Sequence, residues 1–407
     1  MGMPVEKVEV GFDLLDSPIA PFFVLDDPVK GKLDNSQYVI AGTIFFDITD
    51  RVRRFSISRG RKSQFNFNPA GFASIELNNH DRAFDPLYVD SPFYGNIIPR
   101  REMRVTTGGE IQFSGWVEDW NLTYLPNGDS VADAECVDAT SILASQNLTG
   151  GTPTPQLSGA RINSVLDDAG VNWPEALRNI DEGGTELGDQ VIPDGINALT
   201  YLQTIARTEP GEFFVGKEGR VNFRDRNFTA TSGDLVVFGG TGIDFVGIEV
   251  VYGSEQLYNT VVVSREGGGT AVAVDLDSQS AYGIRTLVES DLLMSTDGEA
   301  VDLAVSLADR FSTPEYRIDT LEVQVNSLEP ADQAKVLDLE IGRICKVEFT
   351  PNGIGDPIEQ FIQIIRIQHT VDPENHFMEF GFRELTQAYL VLDDAEFGKL
   401  DEYILGR

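Results

Sequence analysis

Apolar positions recur mostly at every second residue, in short bursts separated by Gly, Pro, Asn and Asp. Ala73, Ile75 and Leu77 alternate with Ser74, Glu76 and Asn78, the period of a strand with one buried face. Met103 and Val105, the tetrapeptide Thr-Thr-Gly-Gly, then Ile111 and Phe113 predict a hairpin closed by a short glycine loop. A turn at residues 126–129 leads into a further strand over 131–137. Far downstream, Leu321, Val323 and Val325 alternate with polar residues, and so do Cys345, Val347 and Phe349. A loop over 351–360 separates that last strand from another at 361–370. Shorter strands are predicted at 213–215, 220–223, 234–238, 243–252, 260–265 and 271–275, with Gly267, Gly268 and Gly269 at a loop tip.

The helical period is confined to the middle of the chain. Ile162, Val165 and Leu166 share one face over 160–169. Ile196, Leu199, Leu202, Gln203 and Ile205 share another over 196–209, with Asn197 or Asp194 as cap. Ala300, Val301, Ala304, Leu307 and Ala308 form the stripe of a helix over 298–311 that Pro314 brings to a stop. A short helix over 138–147 closes the first run of strands, with Ile142 and Leu143 inward.

These periods divide the chain. Residues 1–46 carry Pro18, Pro21 and Pro28, which forbid a long helix; they read as an extended N-terminal arm. A first β domain follows over 47–150. An α+β insert takes 151–313, beginning at a Gly/Pro/Thr linker and splitting near 235. A second β domain takes 314–386, and 387–407 form a C-terminal arm. Ile98-Pro99-Arg100 precedes the first hairpin as Ile341-Gly342-Arg343 precedes the second, each followed by strand, glycine loop and strand. The fold class expected is therefore mainly β with α+β inserts: two similar barrel or sandwich domains flanking a mixed insert, with extended terminal arms.

The arms share a sequence. Val24-Leu25-Asp26-Asp27 is followed after three residues by Gly31-Lys32-Leu33-Asp34. Val391-Leu392-Asp393-Asp394 is followed after the same interval by Gly398-Lys399-Leu400-Asp401. The repeat predicts that both arms dock in equivalent grooves, each burying its leucine pair (Leu25 and Leu33, Leu392 and Leu400). The doubled carboxylates offer a cation too few ligands for a complete site.

Charge sharpens the picture. There are 31 basic and 65 acidic residues, a net of −34, the wrong sign for holding DNA by phosphate neutralisation. Two readings stay open: plain solubility, or a channel wall whose carboxylates let a phosphate backbone slide without sticking. In so acidic a chain the basic cluster Arg51, Arg53, Arg54, Arg59, Arg61 and Lys62 stands out, with Arg100, Arg101 and Arg104. These predict pairing with acidic faces of the same or a neighbouring subunit, where complementary charge sets orientation. The polar segment 78–99 predicts a surface contact loop, and its aromatics Phe84, Tyr88, Phe93 and Tyr94 offer either a glycan platform or loop packing.

Chemistry-bearing motifs are scarce. Cys136 and Cys345 are the only cysteines and read as buried thiols; the histidines are His80, His369 and His376. The zincin HExxH and the hydrolase GxSxG patterns are both missing. Asp275-Leu276-Asp277 imitates the start of a calcium loop without its Gly and Glu. No cofactor, no metal and no enzymatic activity are expected. No apolar run reaches the roughly 18–20 residues of a membrane helix, and the first residues lack a signal core. A soluble chain made in the cytoplasm is the expectation.

The run from Arg51 to Trp120 also carries Ser58-Arg59-Gly60-Arg61, Asp81-Arg82, Phe84-Asp85-Pro86, Ser91-Pro92, Tyr94-Gly95-Asn96-Ile97, Pro99-Arg100-Arg101 and Val117-Glu118-Asp119-Trp120. In order and spacing it resembles the minor tail proteins of long-tailed phages that infect actinobacteria, and is similar to the hub or distal-tail group that caps the tail tube. Weaker resemblance runs to the C-terminus. It implies a structural virion protein of the tail tip, made in the host cytoplasm, with a hub-like fold and a homotrimeric state. Three chains with two similar β domains each would match a sixfold tube. The implied partners are its own copies, the distal tail protein, the tape measure and other minor tail proteins. DNA would pass without specific binding. A hexameric distal-tail ring and a module touching host-surface glycan stay open as alternatives.

Overall fold

The computed structural model describes residues 2–12, 44–226 and 235–385. Both copies of the arm repeat, with Leu25, Asp26, Asp27, Leu33, Asp34, Leu392, Asp393, Asp394, Leu400 and Asp401, lie outside the described residues.

Strands β1 (Glu6–Phe12), β2 (Ile44–Asp47), β3 (Val52–Gly60), β4 (Phe72–Asn78), β5 (Glu102–Thr107), β6 (Glu110–Tyr124) and β7 (Ser130–Val137) come first, closed by helix α1 (Ala139–Leu143). The middle of the chain holds β8 (Gln156–Leu157), α2 (Ser158–Leu166), β9 (Arg178–Ile180), β10 (Glu186–Leu187), α3 (Ala198–Thr208), β11 (Glu212–Val215) and β12 (Val221–Arg224). Next come β13 (Val236–Gly239), β14 (Gly247–Tyr252), β15 (Thr260–Arg265), β16 (Thr270–Val274), α4 (Leu276–Tyr282), β17 (Thr286–Leu292) and α5 (Asp297–Phe311). The chain finishes with β18 (Tyr316–Gln324), α6 (Pro330–Asp338), β19 (Ile344–Phe349), β20 (Ile358–Val371) and β21 (His376–Glu384).

The principal sheet has thirteen strands, and its two halves repeat one order. One half runs β1-β5-β6-β7-β4-β3 and the other β13-β19-β20-β21-β18-β14. Each is built around one long strand. β6 pairs with the preceding β5 up to Trp116 and with the following β7 from Trp116 onward. β20 pairs with β19 up to Gln363 and with β21 from Ile362 onward. Both long strands carry a bulge just past this hand-over, at Val117/Asp119 and at Ile364/Arg366, where an extra residue adds local twist. The halves differ at one edge: β1 is antiparallel to β5, whereas β13 is parallel to β19.

The strand order is thus doubled, but with β1, β13 and β14 drawn from outside the residues 47–150 and 314–386 expected to form two barrel or sandwich units. The strand path runs from β14 to β2 with no pairing between its ends, so no barrel closes among the described residues. The halves are joined instead where β3, the edge of the first, pairs with β20, the long strand in the middle of the second. β20 is long enough to offer its first half to β19 and its second half to β3, which pairs antiparallel from Gly60↔Arg366 to Phe55↔Val371. Gly60 ends β3 at φ +93°, and a Cβ there would lie 2.2 Å from Ile365 O. Only glycine permits that approach.

Four apolar clusters form among the described residues. Val8, Phe55, Ile75, Phe113 and Val117 centre the first sheet half; Phe238, Leu321, Val347, Ile367 and Phe380 centre the second. Ile162, Leu202, Ile205 and Phe223 gather α2, α3 and the β11–β12 hairpin. Val261, Val263, Ala300 and Ala304 join α5 to the small sheet β16-β15-β17. Of the stripe expected on α5, Ala300, Ala304 and Ala308 are buried, whereas Val301 is half exposed. A reciprocal cap starts this helix: Thr296 Oγ1 accepts from Glu299 N and Glu299 Oε2 accepts from Thr296 N. Asn197 caps α3, accepting from Thr200 N at 3.1 Å. The supposed calcium-loop start, Asp275, is likewise a cap, accepting from Ser278 N at 2.9 Å and opening α4.

Candidate functional site

One of the arginines singled out in the sequence, Arg59, lies at the seam between the two sheet halves. Arg59 lies on β3 and is only 2 % exposed. Its Nη1 donates to Glu340 Oε1 at 2.7 Å, across the seam. Glu340 follows α6 and also accepts from Lys217 N at 2.7 Å and Ile341 N at 2.8 Å. Burial opposes ionisation of Glu340, yet the Arg59 guanidinium and the two N–H donors outweigh it and hold the carboxyl below its ordinary range. Lys217 belongs to the β11–β12 turn and is also buried. Its ammonium donates to Leu337 O at 2.9 Å and Asp338 O at 3.0 Å, the last carbonyls of α6. Gln112 on β6 donates to the same Leu337 O at 3.0 Å. One cluster therefore ties the first half, the second half and the middle of the chain together.

Beside it sit two of the three histidines. His369 Nδ1 lies 3.1 Å from His376 Nε2, across the β20–β21 hairpin, and His376 Nδ1 lies 3.2 Å from Glu6 Oε1 on β1. Burial first, then His376, Arg59 and Lys217, hold the basicity of His369 well below the ordinary imidazole value. The scarcity of histidine was the only sequence signal for this pair; their seven-residue spacing spans a hairpin that pattern alone does not register.

The other arginines of the basic cluster have partners in the same chain. Arg53 makes a forked pair with Asp129, 2.6 and 3.2 Å. Arg54 Nε donates to Glu76 at 2.9 Å, and Arg61 Nη2 lies 3.3 Å from Glu212. Arg100 reaches Glu118 only at 3.8 Å, while Arg101 donates twice to Asn96 at 3.2 Å. Sequence order had grouped these side chains; the fold spreads them over β3 and the start of β5, with Arg59 and Arg61 inside and Arg54 out in solvent.

The loop before β5 is packed in part. Phe84 is fully buried and stacks on Trp120 at 5.8 Å; Phe93 lies 5.1 Å from Phe12. Phe84 offers no face to a sugar, while Phe93 is half-buried. Asp85 organises the loop, receiving Arg82, Tyr124 Oη and Leu87 N. Burial raises its pKa, but these three donors prevail and the net shift is downward. Tyr94, Leu87 and Val89 remain exposed on its outer side.

Among the described residues no His, Cys, Asp and Glu cluster has the geometry of a metal site, and no helix is long and apolar enough to cross a membrane. The seam is a set of charged hydrogen bonds that links the two halves of one sheet and the middle of the chain.

No protein-family model matches the chain, and no curated protein matches it. Solved structures do. The 43 kDa tail protein of prophage MuSo2 from Shewanella oneidensis is 16% identical, with 84% of this chain and 96% of that one covered and a TM-score of 0.54. The tail protein from Neisseria meningitidis MC58 is 11% identical, with 84% and 94% covered and a TM-score of 0.57. At these identities the likeness concerns the fold: the chain folds as phage tail proteins do.

Proposed function

We propose that this protein is a structural component of a phage tail, a hub at the tail tip that closes the tube and adapts it to neighbouring tail proteins. The observation that carries the reading is the doubled strand order, β1-β5-β6-β7-β4-β3 beside β13-β19-β20-β21-β18-β14. A homotrimer of such chains presents six similar sheet halves, the number a sixfold tube requires. The fold likeness to tail proteins and the sequence resemblance of residues 51–120 support the same role. The tip position and the actinobacterial host group rest on that resemblance.

The seam has a defined task in this reading. Alternating halves around a ring must keep a fixed angle, and the Arg59–Glu340 pair with the Gly60 approach holds it. The acidic excess suits the wall of a channel through which DNA leaves without sticking. Distal tail protein, tape measure and other minor tail proteins are the expected neighbours. The two arm copies are expected to dock between subunits, so removing residues 390–407 impairs incorporation into tails without unfolding the body.

Native mass spectrometry of the purified protein and a reconstruction of the intact tail tip test this. Three copies per tip, with both sheet halves in one ring, are expected. Six copies in a single ring would overturn the hub assignment in favour of a distal-tail ring.

A further inference from the structure

The doubled strand order matches the two halves element by element: β6 corresponds to β20, β4 to β18 and β3 to β14. Backbone bonds anchor the match residue by residue. Arg100 N donates to Val117 O at 2.7 Å, and Val117 N to Arg101 O at 2.8 Å. Gly342 N likewise donates to Ile364 O at 2.8 Å, and Ile364 N to Arg343 O at 2.9 Å. Arg100 and Gly342 both hold a positive φ, +67° and +89°. Val117 and Ile364 each stand just before the bulge of their long strand. Residues 119–124 of β6 are therefore the counterpart of residues 366–371 of β20. Followed outward along the ladders, Ala134 corresponds to Phe380, Ile75 to Leu321 and Phe55 to Ile248. Residues 248–253 are thus the counterpart of 55–60, and Gly253 follows β14 where Gly60 ends β3.

One contact of this repeat is made in only one of its two places. At the seam, residues 55–60 pair with 366–371. Their counterparts have no such partner among the described residues. β14 pairs only with β18, and no strand follows β5 along β6 beyond Trp116. Burial shows the difference. Arg59 and Val371 are buried at the seam, whereas Tyr252 and Tyr124, in the same two places, are 69 % and 51 % exposed. Glu249 is the only charge in β14, which has neither Lys nor Pro. An apolar edge so little protected invites a strand from another chain.

We propose that β14 of one copy adds antiparallel to the free side of β6 in the next copy, in the register of the seam. That register sets Ile248 against Tyr124, Val251 against Asn121 and Gly253 against Asp119. The carboxylates of the two segments do not meet, because Glu249 falls opposite Thr123; in a chain of net charge −34 this matters. Main-chain hydrogen bonds supply the attraction, and the two tyrosines gain cover. The contact is head to tail, so repeating it about an axis closes a ring. The proposal rests on the hub reading for the presence of several copies; the strands and their register come from the repeat.

Ser58 and Gln368 face each other across the seam, with Gln368 Nε2 donating to Ser58 Oγ at 3.2 Å. Their counterparts are Val251 and Asn121. The test is the full-length double variant Val251→Cys with Asn121→Cys, oxidised by copper phenanthroline. The native thiols are buried and leave the introduced pair to react. A non-reducing gel should show the monomer converted into a reducible species of three times its mass. A mixture of the two single variants should give covalent dimer and stop there. Glu249→Cys with Thr123→Cys, the counterparts of Ser56 and Thr370, should crosslink as well. Val251→Cys with Val191→Cys, an exposed position on neither strand, should give no comparable product. Circular dichroism of the reduced proteins confirms folding. Absence of a crosslink between copies in both folded pairs, or a disulfide closed within one chain, would overturn the proposal. A crosslinked ring of another size would uphold the pairing and overturn only the count of three; three copies by native mass spectrometry without a crosslink would overturn the pairing alone.

Discussion

Arg59 and Glu340 stand 281 residues apart in sequence and 2.7 Å apart in space, one on each side of the junction between the two sheet halves. The arginine is shielded from water, while the glutamate side chain keeps 28 % of its exposure. The pair therefore combines the cost of a buried guanidinium with the directional bond that offsets it. Replacing only Glu340 by Ala leaves Arg59 stranded and is expected to cost about 3–5 kcal/mol. Replacing both, as Arg59→Met with Glu340→Leu, is expected to cost much less. Urea denaturation of the two single variants and the double variant gives the coupling; additive losses would show that the pair does not act as a unit.

Gly60→Ala probes the same junction through the backbone. The new Cβ meets Ile365 O at a disallowed distance and the residue must hold a positive φ. Strain of this kind costs about 1–3 kcal/mol, before any rupture of the β3–β20 pairing. Hydrogen exchange should rise at residues 55–60 and 366–371 together, because they are partners. Unchanged exchange across these strands would contradict the role given to this glycine.

The buried histidines predict loss of stability on mild acidification. The basicity of folded His369 is depressed, so the unfolded chain binds its proton more readily. Its stabilising contribution is complete above the unfolded value of about 6.5 and is lost as pH falls below it. His376, Glu6, Arg59, Lys217 and Glu340 are the titratable and charged groups around it. Asp138 acts in the opposite sense: burial raises its pKa to about 6, so its contribution is fully present below the unfolded value and is lost as pH rises through about 6. Comparing wild type with His369→Leu separates the two. The variant should show a smaller fall in denaturation midpoint between pH 7 and pH 5. An identical fall in both proteins would remove His369 as the cause.

Both thiols should be inert in the native state. Cys136 and Cys345 are fully buried; burial pushes Cys345 up to about 12 and Cys136 further. Neither forms appreciable thiolate at pH 8. Ellman's reagent should therefore detect no thiol in the native protein and two after denaturation. Rapid native labelling would mean that one of the sheet halves opens readily.

The sequence by itself determined the strands and helices whose periodicity is local. The alternation of Ala73, Ile75 and Leu77 is β4, the hairpin around Gly108 and Gly109 is β5–β6, and Asn197 caps α3. It also carried the doubling of the β units, because the same order of strand, glycine loop and strand occurs twice. It missed α6, although Pro330 in the first turn is a start signal, because a nine-residue helix with a weak apolar stripe leaves little period to detect. Only the tertiary structure decided that the two units share one open sheet. That depends on the second half of β20 finding the edge of β3, a pairing of backbone groups that leaves no trace in side-chain period. The same holds for Arg59 with Glu340 and for the His369–His376 pair. Each is set by which strands lie side by side, and burial among distant neighbours, rather than residue type, gives these side chains their chemistry.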